Sequence, residues 1–259
     1  MTRFATWNVN SLNVRQQRVE HWIADIAPDI VCLQETKLAD EAFPALAFEA
    51  MGYESVHHGE GRWNGVAILS KVGLIDPVLG FADGAEPDAE ARLVTAMCGG
   101  VSVVNVYVPN GRSLDDPHYQ YKLGWLARLG KHVDRLRADS REVIIAGDFN
   151  IAPADVDVYD PAAFVRATHT SQPERNALHA LVERGFEDVF RRVHPDATSV
   201  FSWWDYRRGD FHEGRGMRID LVLASEAVAA RVDWCIIDRN ARKGQQPSDH
   251  APVVVDLTD

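Results

Sequence analysis

Apolar residues fall along this chain in short, β-branched runs rather than in long helical stripes. The runs recur from end to end, at Phe4–Trp7, Ile30–Leu33, Val66–Leu69, Leu93–Cys98, Val101–Val108, Val143–Ala146, Ile219–Leu223, Val232–Ile237 and Pro252–Leu257. Runs of that length, bounded by Asn, Asp, Gly or Pro, predict strands. Val19, Trp22, Ile23 and Ile26 stand instead at i, i+3, i+4 and i+7, which predicts a helix beginning after Ser11 and ending before Pro28. Leu123, Leu126, Leu129, Val133 and Leu136 predict a second helix over Tyr119–Arg137, and a third covers Glu174–Arg184 and stops at Gly185. Strands outnumber helices without strict alternation, so the pattern predicts an α+β fold of packed sheets flanked by helices. No linker, repeat or low-complexity tract divides the chain, and residues 1–259 read as one domain.

Composition narrows the function classes. Among 259 residues, 38 acidic against 27 basic side chains give a net charge of −11, which excludes coating nucleic acid by bulk positive charge but leaves a local basic face open. Between Arg207 and Lys243 eight Lys/Arg face six Asp/Glu, a local excess of two in an acidic chain, and a modest DNA-facing surface is expected there. Cys32, Cys98 and Cys235 are odd in number and lack CxxC spacing, which argues against a disulfide framework or zinc knuckle. With no apolar leader-like segment at the N-terminus, the expectation is a cytoplasmic, monomeric protein. The longest uncharged run, Leu93–Gly111, is broken by Gly99-Gly100, Asn105 and Pro109, so it reads as strands and a turn rather than a membrane span. GxSxG, HExxH and GxxxxGK are all missing, which sets aside serine hydrolase, zincin and P-loop chemistry.

What remains is a local event repeated along the chain: an apolar strand meets a carboxylate or an amide. Asn8 and Asn10 follow the first strand, Gln34 and Glu35 the second, Asn110 the run containing Tyr107, and Asp148 and Asn150 the run at Val143; Asp220 adjoins Ile219, and Ser248, Asp249 and His250 precede the last strand. Singly, each has a bland explanation in a turn, a cap or a solvated rim. Jointly they are strand ends that packed sheets can gather at one edge, where carboxylates repel unless a cation joins them. Oxygen donors with one histidine suit Mg²⁺ or Mn²⁺ rather than zinc, and they suit phosphoryl chemistry.

WNVNSL (7–12), LQETK (33–37), NVYVPNG (105–111), GDFNIAP (147–153), RIDL (218–221) and SDHAPV (248–253) together resemble the exonuclease III family of apurinic/apyrimidinic endonucleases. GDFN and SDH are common to the wider superfamily of DNase I, sphingomyelinases and inositol phosphatases, whereas LQETK, NIAP and FSWWDYR (201–207) point to the DNA-repair branch. The resemblance implies a DNase I-like four-layered α/β sandwich, two mixed sheets face to face with helices outside. It implies Glu35 as principal Mg²⁺ ligand, with Asn10, Asp249, Asp148 and Asn150 as further residues of the metal site; Asn10 departs from the aspartate that some relatives carry. Asp148, steadied by Asn150, would activate water, with Tyr107 the competing candidate for base. Tyr107 and Asn8 would hold the phosphate, and His250 paired with Asp220 would donate to it. Trp203, Met217 and Ile219 would wall a pocket for an abasic sugar, and Arg112, Lys122 and Asn64 would touch the substrate. The implied activity is Mg²⁺-dependent incision of duplex DNA 5′ to abasic sites, with 3′→5′ exonuclease and 3′-phosphatase activity. A superfamily phosphatase on another substrate and a catalytically silent nucleic-acid-binding relative are the alternatives.

Overall fold

The computed structural model describes residues 1–139 and 142–258; the side chains of Asp139 and Arg208, the latter one of the eight basic residues counted above, lie outside the description. Among the described residues, twelve strands form two six-stranded sheets. The first contains β1 (Thr2–Asn8), β2 (Ile30–Gln34), β3 (Glu54–His58), β4 (Val66–Ser70), β11 (Val232–Ile237) and β12 (Val253–Leu257), in the order β11-β12-β1-β2-β4-β3. The second contains β5 (Ile75–Leu79), β6 (Leu93–Cys98), β7 (Val101–Tyr107), β8 (Val143–Asp148), β9 (Phe186–Asp188) and β10 (Asp220–Ser225), in the order β5-β6-β7-β8-β10-β9. Each sheet has one parallel pair, β1 with β2 and β7 with β8, and antiparallel pairs elsewhere.

Period-two alternation builds the layers. Phe4, Ile30, Cys32 and Ile68 point between the sheets, where they meet Val94, Val103, Ile144 and Val222. Ala5, Trp7, Val31 and Leu33 face the other way, onto Val19, Trp22 and Ile23 of helix α1 (Leu12–Ile26). On the far side Val104, Val106 and Ile145 pack against Trp125, Leu126, Leu129 and Val133 of α3 (Pro117–Asp139) and Leu178 and Leu181 of α4 (Gln172–Val182); a short α2 (Ala45–Ala50) lies near β3. The result is the helix–sheet–sheet–helix sandwich anticipated from the sequence. All three cysteines are free and buried, and no helix among the described residues is long and apolar enough to cross a membrane.

The strands missed from the pattern are β3, β5 and β9, and each lies at a sheet edge. β5 contains Pro77 and is largely exposed, and β3 carries Glu54, His57 and His58. Edge strands tolerate Pro and polar residues because one side of the ladder is unpaired, so they lack the apolar signature. Helix α4 starts at Gln172, two residues earlier than expected, because Ser171 and Glu174 form a capping box.

Register brings the functional positions to one edge. The parallel pairs end together, Asn8 opposite Gln34 and Tyr107 opposite Asp148. Antiparallel β10 starts where β8 stops, placing Asp220 opposite Asp148. Beneath this edge a buried polar tie links the sheets: Gln34 Nε2 donates to Thr6 Oγ1 and Asn105 Oδ1, both at 2.8 Å, and Asn105 Nδ2 donates to the Leu33 and Ala67 carbonyls.

Candidate active site

Glu35 stands on the turn leaving β2. Its peptide neighbourhood is anchored on both sides: the Ser11 and Leu12 amides at the start of α1 donate to the Glu35 and Thr36 carbonyls, while the Thr36 and Lys37 amides donate to the carbonyls of Gly65 and Asn64. Gly65 is required there, since its φ is +93° and a Cβ would meet Thr36 Oγ1 at 2.1 Å. Gly147, with φ +145°, serves the same end before Asp148, because a Cβ would strike the Val106 carbonyl oxygen at 1.9 Å. Asn10, Glu35, Lys37, Asn64, Arg112, Asn150 and His169 all adopt positive φ without being glycine. Such conformations cost free energy and persist where surrounding hydrogen bonds over-determine them, as happens at functional sites.

The side chains form one network. Asn8 Nδ2 donates to Glu35 Oε1 at 2.8 Å and to Asp148 Oδ2 at 2.9 Å. His250 Nδ1 lies 2.8 Å from Asp220 Oδ2, and its Nε2 lies 3.7 Å from Asp148 Oδ2. The Asn150 amide donates to Asp148 Oδ1 at 2.8 Å, so Asn150 steadies Asp148 through its backbone. Asn10 Nδ2 donates to Asp249 Oδ1 at 2.9 Å, and Trp203 Nε1 donates to Asp249 Oδ2 at 3.2 Å. Ser248 Oγ donates to the Asn8 carbonyl, fixing the loop that carries His250.

Electrostatics separates the roles. Burial pulls the His250 imidazole down, but Asp220 and Asp148 outweigh it and push it up to about 10, which keeps the ring a donor at neutral pH. Burial pushes the Asp148 carboxyl up to about 7, with His250 opposing the shift and Asp220 adding to it. Burial would raise Glu35 as well, yet Lys37 and Asn8 hold it below the ordinary carboxylate value. Burial and the Glu35 charge drive the Tyr107 phenol well above its usual value. Of the two, the Asp148 carboxyl therefore ionises far more readily than the Tyr107 phenol.

Ligand atoms of Glu35, Asp148 and His250 lie within 4.8 Å of one another. The two carboxylates at that spacing fit a hard divalent cation, whereas His250, held protonated by Asp220, is a donor rather than a ligand.

Several expectations need correction. Lys122 cannot touch substrate: it is fully buried, donating to Glu174 Oε1 at 2.5 Å and to the Asn150 carbonyl at 2.7 Å. Met217 and Ile219, each 2% exposed, pack beneath half-buried Trp203 rather than lining an open pocket. Trp203 and Trp204 do face opposite ways, and Trp204 is the buried one. The Asn150 side chain is turned from the carboxylates toward Val108, Asn110 and His169 and is not positioned as a metal ligand. Asn64 is buried, with its amide donating to Glu60, whereas Arg112 is exposed, which does not conflict with its expected role. Four of the cations between Arg207 and Lys243 are spent in ion pairs, which lessens the basic surface expected there: Arg207 pairs with Asp205, Arg215 with Asp210, Arg218 with Asp157 and Asp188, and Arg231 with Glu142.

Three residues of the network went unassigned in the sequence. Lys37, inside the LQETK motif, lies 2.9 Å from Glu35 Oε2 and 2.5 Å from Asn10 Oδ1. Asn110 Nδ2 is 3.1 Å from both Asn150 Oδ1 and His169 Nε2. His169 sits in a loop without a motif; burial and the Lys122 charge pull it down to about 4, so its ring is neutral.

Comparison with known proteins agrees with this geometry. The model of the endonuclease/exonuclease/phosphatase family matches residues 5–250. Exodeoxyribonuclease III of Haemophilus influenzae is 36% identical over 97% of this chain and 98% of its own length. A Neisseria 3′ phosphatase, NExo, solved with a product DNA hairpin, superposes with a TM-score of 0.97 at 40% identity, and an AP endonuclease from Archaeoglobus fulgidus with 0.95 at 37%; both cover all of each chain. Strand ends that converge on buried carboxylates and one imidazole, and relatives that match from end to end, lead to one assignment: the chain belongs to the exonuclease III branch of the endonuclease/exonuclease/phosphatase family and is a hydrolytic nuclease.

Proposed function

We propose that this nuclease trims 3′ ends of duplex DNA, removing 3′-phosphates and 3′-nucleotides in a Mg²⁺-dependent reaction, as part of DNA repair. The observation that carries the 3′-end reading is the packing of Met217 and Ile219 beneath Trp203, which leaves the apolar wall expected for an extrahelical abasic sugar covered. A terminal phosphate needs no such pocket. The likeness to a Neisseria 3′ phosphatase bound to product DNA supports the same reading.

Glu35 and Asp148 would hold the cation, with Asp249 and Asn10 behind them. When bound, Mg²⁺ would offset charge developing on the phosphate oxygens. Asp148, aligned by the Asn150 amide and Asn8, would take the proton of the attacking water. His250, held by Asp220, would donate a hydrogen bond to a non-bridging oxygen. The protonated Tyr107 would supply a further donor at a fixed position, while Asn8, both of whose amide hydrogens go to Glu35 and Asp148, would hold those two carboxylates together.

Incision 5′ to abasic sites is the second reading, favoured by the likeness to an archaeal AP endonuclease and by the half-exposed edge of Trp203. Three labelled duplexes distinguish the two: one with a 3′-phosphate at a nick, one with a recessed 3′-hydroxyl, and one with an internal tetrahydrofuran abasic analogue, each in Mg²⁺ and in EDTA. The first reading expects metal-dependent phosphate release to outpace incision at the analogue. Faster incision at the analogue would establish the second. No metal-dependent hydrolysis of any duplex would refute both and return the protein to phosphatase chemistry on another substrate.

A further inference from the structure

We infer that Arg92 is a positioning residue for the nuclease reaction, holding the Tyr107 phenol against the active-site edge through a guanidinium laid over its ring. The β6–β7 register pairs Leu93 with Val106, so one step further Arg92 stands opposite Tyr107, and the Tyr107 amide donates to the Arg92 carbonyl at 2.8 Å. The Arg92 guanidinium carbon is 4.5 Å from the Tyr107 ring centroid. Its Nη1 donates to the Tyr107 carbonyl at 3.2 Å, and its Nε donates to Glu90 Oε2 at 2.5 Å. The arginine is thus fixed at a backbone carbonyl, a carboxylate and a ring face while only 5% exposed.

Physical chemistry makes this more than a packing contact. A cross-strand neighbour of Tyr107 could be any apolar side chain, and desolvating a guanidinium is costly unless its partners compensate. Here Glu90 compensates on one side and the π face on the other. The ring so clamped closes β7 opposite Asp148, at the edge where the carboxylates of the site gather, and its phenol feels the Glu35 charge. A cation over the face also draws density from the phenol, which makes its hydroxyl a stronger hydrogen-bond donor to a phosphate oxygen. Lysine would not replace it, because the contact uses the plane and the fork of the guanidinium together.

The inference rests on the family's nuclease activity and is independent of which DNA ester is preferred. Steady-state kinetics, on whichever of the three duplexes the wild-type protein cleaves fastest, would compare Arg92→Met, Arg92→Lys, Tyr107→Phe and the Arg92→Met/Tyr107→Phe double variant. Arg92→Met should lower kcat by roughly threefold to thirtyfold with KM nearly constant, and Arg92→Lys should recover little of the loss. In the Tyr107→Phe background the same substitution should change kcat by less than about twofold, since the hydroxyl it serves is gone. Equal losses in both backgrounds would overturn the inference, as would a rise in KM alone, which would make Arg92 a direct DNA contact. If Arg92→Met does not fold, Glu90→Gln loosens the same guanidinium and should show the same dependence on Tyr107. A readout free of turnover is the ring flip of Tyr107 by NMR in tyrosine-labelled protein: faster flipping in either variant is expected, and an unchanged rate would count against the clamp.

Discussion

Replacing Lys122 by methionine tests the most consequential correction to the sequence reading. In the folded protein neither partner of the Lys122–Glu174 pair is exposed, and Glu174 Oε1 also accepts from Thr168 Oγ1 at 2.8 Å and the His169 amide at 3.0 Å. Methionine approximates the stem volume but leaves a buried carboxylate without its counter-charge and the Asn150 carbonyl without its ammonium donor. Breaking a buried pair on one side costs about 3–5 kcal/mol. At roughly 2 °C per kcal/mol for a chain of this size, the melting temperature should fall by about 6–10 °C. The double replacement Lys122→Met/Glu174→Met should recover only part of that loss, because it removes the unpaired charge but leaves the Thr168 hydroxyl and the His169 and Ser171 amides without their acceptor. Acid should act in a defined direction. Burial alone would raise the Glu174 carboxyl, but Lys122 and the Ser171 and His169 donors hold it below its ordinary value. Its stabilising contribution is therefore complete above the unfolded carboxylate value, about 4.3, and is lost as pH falls through the lower folded value. Lys122→Met should shrink that acid-dependent increment. The assay is calorimetric unfolding between about pH 3 and 7, alongside DNA binding at several salt concentrations. An unchanged melting temperature, with weaker DNA binding and a salt slope shallower by about one, would refute the reasoning and restore Lys122 as a phosphate contact.

The other predictions concern the chemistry. His250→Asn should lower kcat by about two to four orders of magnitude while DNA affinity persists, and near-wild-type turnover would remove the imidazole from the reaction. Glu35→Gln should weaken Mn²⁺ binding followed by electron paramagnetic resonance, a readout that needs no substrate; unchanged Mn²⁺ affinity would place the cation elsewhere. DNA affinity should fall by at least roughly tenfold between about 50 and 200 mM salt even though the chain is acidic, and a flat response would contradict phosphate contacts.

Much of this protein is legible in its amino-acid order. Central strands announce themselves because both faces are buried: Val31, Leu33, Val104 and Ile145 are all fully buried, and continuous apolar runs result. The carboxylates and amides at strand ends are equally visible, since a strand must stop at the sheet edge and those residues stop it. Motif resemblance then placed them in one family. Edge strands β3, β5 and β9 escaped detection because an edge is not obliged to be apolar.

Tertiary structure decided what each polar residue faces. A lysine on the amphipathic helix α3 reads as solvated until Glu174, 52 residues away, is brought to it. Arg92, His169 and Lys37 belong to the site through cross-strand register and loop closure, which local periodicity does not encode. The same holds for the pair of candidate bases: Asp148 and Tyr107 are both present in the sequence, but their separation in proton affinity arises from burial and from Asp220, His250 and Glu35 gathered around them. Sequence alone determined which chemical groups lie at the ends of the strands, because hydrophobic patterning is local. Only the packed sheets determined which of those groups pair, because Coulombic and hydrogen-bond energies depend on distances through space.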